Sequence, residues 1–129
     1  MAWYYNRVNK NKQVHSTGGK LMVTNLINDN GRAVAQHFVI TEESLGKPVI
    51  AFQSYKSRVC EIRQGGLGFE RTVVLGHDWD YSNTTKRHLY KFLRDNGIDI
   101  NSTSELQKAL ERGYFYGTQV AVWYDETMR

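Results

Sequence analysis

Between residues 19 and 76 the apolar side chains fall in short alternating runs, the spacing of strands that bury one face. "GKLMVTNLI" and "VAQHFVIT" flank "NDNGRA", whose Asn30-Gly31 pair suits a turn needing positive φ, so the three together predict a hairpin. "PVIAFQSY", "RVCEIRQ" and, after "GGLG", "FERTVVL" predict three consecutive antiparallel strands. Their alternation puts Ile50 with Phe52, Cys60 with Ile62, and Phe69 with Val73 and Leu75. The lone proline, Pro48, opens the first of these runs rather than interrupting it. The period then changes. Leu89, Phe92 and Leu93 stand at i, i+3, i+4, predicting a helix from Asn83 to about Asp95, with Ser82 or Asn83 at its start and Gly97 just past its end. A second helix opens at "STSE", where Ser102 and Glu105 have capping-box spacing, buries Leu106, Ala109 and Leu110, and stops at Gly113. "YFYGTQVAVWY" reads as a closing strand. The order predicts an α+β fold: an antiparallel sheet of about five to six strands with two helices packed on one face.

Composition narrows the class. The 129 residues suit a single domain, 1–129, with residues 1–18 as a flexible or edge-strand N-terminal segment. A hydrophobic share of 40% and an aromatic share of 12% point to a globular chain rather than a disordered one. The single cysteine, Cys60, precludes an internal disulfide and suits a reducing compartment. No apolar run approaches a membrane span, and "MAWYYNRVNKNK" lacks the apolar core of a signal peptide, so a cytoplasmic protein is expected. The net charge of +4 is unevenly spread: residues 1–20 and 47–94 are basic, whereas 21–46 and 95–129 are acidic. Two basic zones suit a polyanionic partner, although ordinary solubility is the commoner reason for a modest positive charge.

The candidate chemistry concentrates in "HDWDYSNTTKRHLYKFLRDNG", residues 77–97. His77, Asp78, Asp80 and His88 are all metal-ligand types. In a strand His77 shares a face with Trp79 and Asp78 with Asp80, while His88 belongs to the next element. No His-x-x-x-His or cysteine pair accompanies them. The pattern predicts no metal and no cofactor, with both aspartates capping or ion-pairing at the strand-to-helix junction. "GGLG" (65–68) lacks the Gly-Lys-Ser/Thr ending of a phosphate loop, and Ser82, Thr84 and Thr85 lie in no nucleophile elbow. Cys60, alternating with Ile62, reads as a small core hydrophobe rather than a reactive thiol. Catalysis is not expected. The enzymatic alternative is a small metal-dependent nuclease using Asp78, Asp80 and His77.

The same stretch also carries charge. With Arg87 at zero on a helical wheel, Lys91 falls at about 40° and Arg94 at about 340°, whereas Phe92, Leu89 and Leu93 fall at about 140°, 200° and 240°. If the apolar stripe docks on the sheet, the cations face out. No acid interrupts the run from Asn83 to Arg94, where a plain solvated face would interleave anions. Arg87, Tyr90, Lys91, Arg94 and Lys86 are therefore the expected partner-binding residues. A second set is Trp3, Tyr4, Tyr5, Arg7, Lys10 and Lys12, since aromatics that stack on bases and cations that meet phosphates suit single-stranded nucleic acid. The plainer account of that segment is an edge strand with solvated lysines.

"FQSYKSRVCEI" (52–62) followed by "HDWDYSNTTKRHLYKFL" (77–93) resembles a family of small proteins from phages and mobile elements of Gram-positive bacteria. The shared pattern is an aromatic-x-Ser-Tyr hairpin strand, then Trp-Asp-Tyr-Ser-x-Thr-Thr before a helix. Here it falls on Phe52, Ser54, Tyr55, Trp79, Asp80, Tyr81, Ser82, Thr84, Thr85, His88, Leu89, Phe92 and Leu93. The resemblance implies a junction in which Trp79 and Tyr81 pack while Asp80, Ser82 and Thr84 satisfy helical amides. It also implies an anti-CRISPR-like role: a non-enzymatic inhibitor, in the bacterial host cytoplasm, of a CRISPR nuclease or its bound nucleic acid. The first alternative is a phage accessory protein that binds nucleic acid directly. A homodimer through the aromatics of the last strand is compatible with either.

Overall fold

In a computed structural model, residues 12–16, 19–44, 47–65 and 68–129 are described. The expected α+β architecture is present. Strands β1 (Lys12–Ser16), β2 (Gly19–Ile27), β3 (Ala33–Ser44), β4 (Lys47–Ser54), β5 (Ser57–Gln64) and β6 (Arg71–Gly76) precede helices α1 (Asn83–Asp95) and α2 (Thr103–Arg112), and β7 (Val120–Asp125) follows. The strands form one seven-stranded sheet in sequence order. Neighbours from β1 to β6 are antiparallel, whereas β7 runs parallel to β6. The reason is the crossover: two helices carry the chain back before β7 begins, and a long connection of this kind is what parallel pairing needs.

Local chemistry makes the turns and caps. The Asn28 side chain accepts hydrogen bonds from Asn30 N and Arg32 N, and Gly31 takes a φ of 77° between β2 and β3. Ser82 Oγ caps α1 by accepting from Thr85 N at 3.0 Å, and Ser102 Oγ caps α2 by accepting from Glu105 N at 3.2 Å. Gly113, at φ 90°, ends α2 in the left-handed conformation.

Register places Ile50 and Phe52, Cys60 and Ile62, and Val73 and Leu75 on one face of the sheet. Leu89, Phe92 and Leu93 of α1 and Leu106 and Ala109 of α2 join the same buried cluster. Phe92 stacks on Phe52 with ring centroids 5.7 Å apart, and both rings are fully buried. Phe69 precedes β6 rather than lying on it, and stacks on Tyr114. The reverse face carries the row Val23, Ile40, Ala51, Glu61 and Val74. There a smaller cluster of Leu21, Val23, Phe38, Ile40 and Ala51 adjoins an ion-pair network. Arg58 meets Glu42 at 2.6 Å and Glu61 at 2.7 Å, and Arg63 meets Glu61 at 2.8 Å. Among the described residues, no helix is long and apolar enough to cross a membrane.

Two substitutions check this packing. Phe52→Ala removes the ring on which α1 rests and should cost about 3–5 kcal/mol in denaturant unfolding. Gly76→Ala would place a Cβ 2.5 Å from Arg58 O and 2.6 Å from Met128 O, both backbone atoms that cannot yield cheaply. Its melting temperature should fall clearly below that of the parent.

Candidate functional site

A cleft of about 790 Å³ opens where the β4–β5 turn, the start of β3 and the N-terminus of α1 meet. Its size is in the usual range for small-ligand pockets, roughly 300–1,000 Å³. His37, Ser54, Tyr55, Ser57, Asp78, Tyr81 and Thr84 are among its lining residues. Two local distortions build it.

The first is a bulge in β3. Asn25 pairs with Phe38 and Ile27 with Ala33, so residues 34–37 lie opposite the single residue Leu26. Such a bulge breaks the ladder, and each stranded carbonyl needs a donor. The Val34 carbonyl accepts from Asn25 Nδ2 at 2.9 Å, that of Ala35 from His37 Nδ1 at 2.8 Å, and that of Gln36 from Tyr55 N at 2.7 Å. The bulge turns Gln36 to a φ of 60°. It leaves His37 opposite Ser54, on the face toward α1.

The second distortion is the β4–β5 turn itself. Ser54 pairs with Ser57, so Tyr55 and Lys56 form a two-residue loop, and Tyr55 has a φ of 54° at its first position. Glycine is the residue such turns favour there, because a Cβ clashes at positive φ. Gln36 and Tyr55 are the described non-glycine residues with positive φ, they are bonded to each other, and both line the cleft. Backbone strain of this kind costs on the order of 1–3 kcal/mol per residue and clusters at functional sites.

The floor is polar and ordered. Because a carbonyl only accepts, the Ala35 contact puts the proton on His37 Nδ1 and leaves Nε2 as an acceptor. Ser54 Oγ lies 3.1 Å from that Nε2 and donates to it. Both residues are buried. The His37 ring stacks on Phe52, meets Tyr55 edge-on, and lies 4.6 Å, centroid to centroid, from His88. Asp78 accepts from Ser57 Oγ and pairs with His77 Nδ1, both at 2.8 Å. The His77 and Ser57 hydrogen bonds hold the Asp78 carboxyl below its ordinary range. Burial, then the neighbouring His37 and Arg87, holds the His88 imidazole below its ordinary value. The Cys60 thiol, buried in the core, is pushed up by desolvation and then by Glu61, consistent with an inert core residue.

The basic helix face departs from expectation. Leu89, Phe92 and Leu93 do point inward. Lys91, however, pairs with Asp95 one turn on, and Arg94 meets Asn101 at 3.2 Å and Asp29 at 3.8 Å. The acid-free run ends one residue too early to leave Lys91 unpaired. Tyr90 is buried and bonds Thr103 Oγ1 at 2.7 Å, tying α1 to α2 instead of facing a partner. Arg87 remains exposed and Lys86 half-buried. Trp3, Tyr4, Tyr5, Arg7 and Lys10 lie outside the described residues, and Lys12 falls on edge strand β1.

The junction also differs in part. Trp79 packs, but Tyr81 is 80% exposed. Ser82 caps α1, and neither Asp78 nor Asp80 lies in its first turn. Among the described residues, no group of three or more His, Cys, Asp or Glu is placed to hold a metal ion. Sequence reasoning passed over His37, because the signal that singles it out is a contact with Ser54 across 17 residues.

A family model matches residues 6–108, which include every cleft residue named above. The chain belongs to DUF8033, a family of unknown function. No curated protein and no solved structure matches it. The DUF8033 match ends within α2, before β7.

The His88 environment makes stability depend on pH. Its folded-state pKa lies below the unfolded value, so the unfolded chain takes up the proton first. Stability is unaffected above about pH 6.5 and declines as pH falls from there toward the lowered value. His88→Gln should flatten that part of a melting-temperature profile; an identical acid decline in the variant would refute the assignment.

Proposed function

We propose that the protein is a binding protein whose cleft grips a single-stranded nucleic acid. The observation that carries this reading is the pair of strained backbone positions that line the cleft, Gln36 and Tyr55. Tyr55 itself, 61% exposed, and Tyr81, 80% exposed, both line the cleft. Two solvent-facing aromatic rings beside a cleft with a hydrogen-bonded floor suit unstacked bases, each of which offers a π-face. Positive charge lies alongside. Lys56 lines the cleft, and Arg87 stands one turn along α1 from Thr84, which also lines it. The first turn of α1 carries no acid of its own. Asp78 lines the cleft too, but both its oxygens are engaged, by His77 and Ser57.

This reading moves the contact surface from the outer face of α1 to its N-terminal end. Lys91 and Arg94 are already paired within the chain, which weakens the case for an acidic protein surface gripping that face. Action on an RNA-guided nuclease would then run through the nucleic acid it holds.

Fluorescence polarisation with short single-stranded DNA and RNA across a salt series tests the proposal. Binding at low salt should weaken steeply as salt rises. Tyr55→Ala and Tyr81→Ala should each lose roughly 5- to 150-fold in affinity, corresponding to about 1–3 kcal/mol per stacked base. Arg87→Glu should cost more than Lys91→Glu. Absence of binding at low salt by the folded protein would overturn the reading.

A further inference from the structure

We propose that Ser54 and His37 form a nucleophile–base pair, and that the cleft hydrolyses small carboxylic esters. This goes beyond nucleic-acid binding and rests on a different observation, the hydrogen bond on the cleft floor. A serine becomes a nucleophile when a neighbouring base takes its proton and a third group fixes that base in the right tautomer. All three parts are present. Ser54 Oγ donates to His37 Nε2 at 3.1 Å, and His37 Nδ1 donates to the Ala35 carbonyl at 2.8 Å. The carbonyl takes the orienting place that a carboxylate holds in a triad; it fixes the tautomer without adding charge. The ring also stacks on Phe52 and meets Tyr55 edge-on, contacts that favour the orientation in which Nε2 faces Ser54.

The surroundings favour reaction over simple packing. Both side chains line the cleft although little of either is exposed, so a substrate reaching them displaces water. The residue after Ser54 sits at positive φ, a sharp strained turn directly beyond the hydroxyl. Ser82, Thr84 and Thr85, from the acid-free N-terminal turn of α1, form another wall. The positive end of the helix dipole there would favour negative charge developing on a bound carbonyl oxygen.

The chemistry balances with water as the other reactant. Ser54 Oγ forms a bond to the ester carbonyl carbon as its proton passes to His37 Nε2. The tetrahedral species collapses, the bond from carbon to the alcohol oxygen breaks, and the alcohol leaves with the proton from Nε2. Water then attacks the acyl-serine and gives a proton to Nε2. The bond from the acyl carbon to Ser54 Oγ breaks, the acid departs, and Oγ takes the proton back from Nε2. No oxidant or metal is consumed.

The test uses the full chain, a fluorophosphonate probe with peptide mapping, and p-nitrophenyl acetate turnover. Labelling should fall on Ser54, and turnover should vanish in Ser54→Ala. His37→Gln should slow both by about 100-fold or more, the usual weight of a general base. A structural hydroxyl would instead stay unlabelled in the folded wild-type protein, which overturns the proposal. Turnover unchanged in Ser54→Ala, or labelling unchanged in a folded His37→Gln, does the same. If His37→Gln fails to fold, the pH profile of wild-type labelling decides. A histidine base makes labelling rise with pH as the imidazole loses its proton, and a flat profile counts against the pair. Oligonucleotide binding measured in Ser54→Ala separates this outcome from that of the binding reading.

Discussion

The ring of Phe52 is the contact on which the arrangement of core and cleft depends. Phe92 stacks on it from α1, and His37 stacks on it from β3. One buried side chain thus sets both the seat of the helix and the orientation of the imidazole on the cleft floor. The coupling follows from register. Phe52 pairs with Val39 and Cys60, so it projects from the centre of the sheet on the side the helices cover. Ser54, two residues on along the same strand, projects from the same face but at the strand end, where α1 begins and the packing opens. The closed core ends and the cleft, with its hydrogen-bonded floor, starts within one strand repeat.

The two sheet faces solve different problems. On the helix side, apolar area is covered by α1 and α2 and by Ile98 and Ile100 of their connection. On the reverse side, the charged groups near the middle of the sheet are taken up by one another: Arg58 bridges Glu42 and Glu61, and Glu61 also receives Arg63. Buried charges of this kind survive because they are paired, and removing one member leaves the others uncompensated. Arg58 and Glu61 are buried, and Glu42 and Arg63 are paired to them from the more exposed side. A count of basic and acidic residues along the sequence overstates what remains for a partner.

That overstatement explains the fate of the basic helix. The wheel correctly separated Leu89, Phe92 and Leu93 from Arg87, Lys91 and Arg94. It was blind to Asp95, immediately beyond the acid-free run, and to Asp29 and Asn101, which approach from other segments. Tyr90 bordered the cations on the wheel, yet Thr103 of α2 draws it inward. Tyr81 went the other way: aromatic and beside a core tryptophan, it stays in solvent at the rim of the cleft.

By itself the sequence determined β2 to β7, the two helices, their serine caps and glycine stops, and the inward faces of both, while leaving β1 open between a flexible segment and an edge strand. Those features depend on residues a few positions apart, and short-range periodicity and turn chemistry carry them. The seventh strand's parallel pairing, the bulge opposite Leu26, and the meeting of His37 with Ser54 were decided only by the tertiary structure. Each is a relation between segments distant in the chain. Carbonyls displaced from a ladder must find donors wherever the fold brings them, and no local pattern records where that will be.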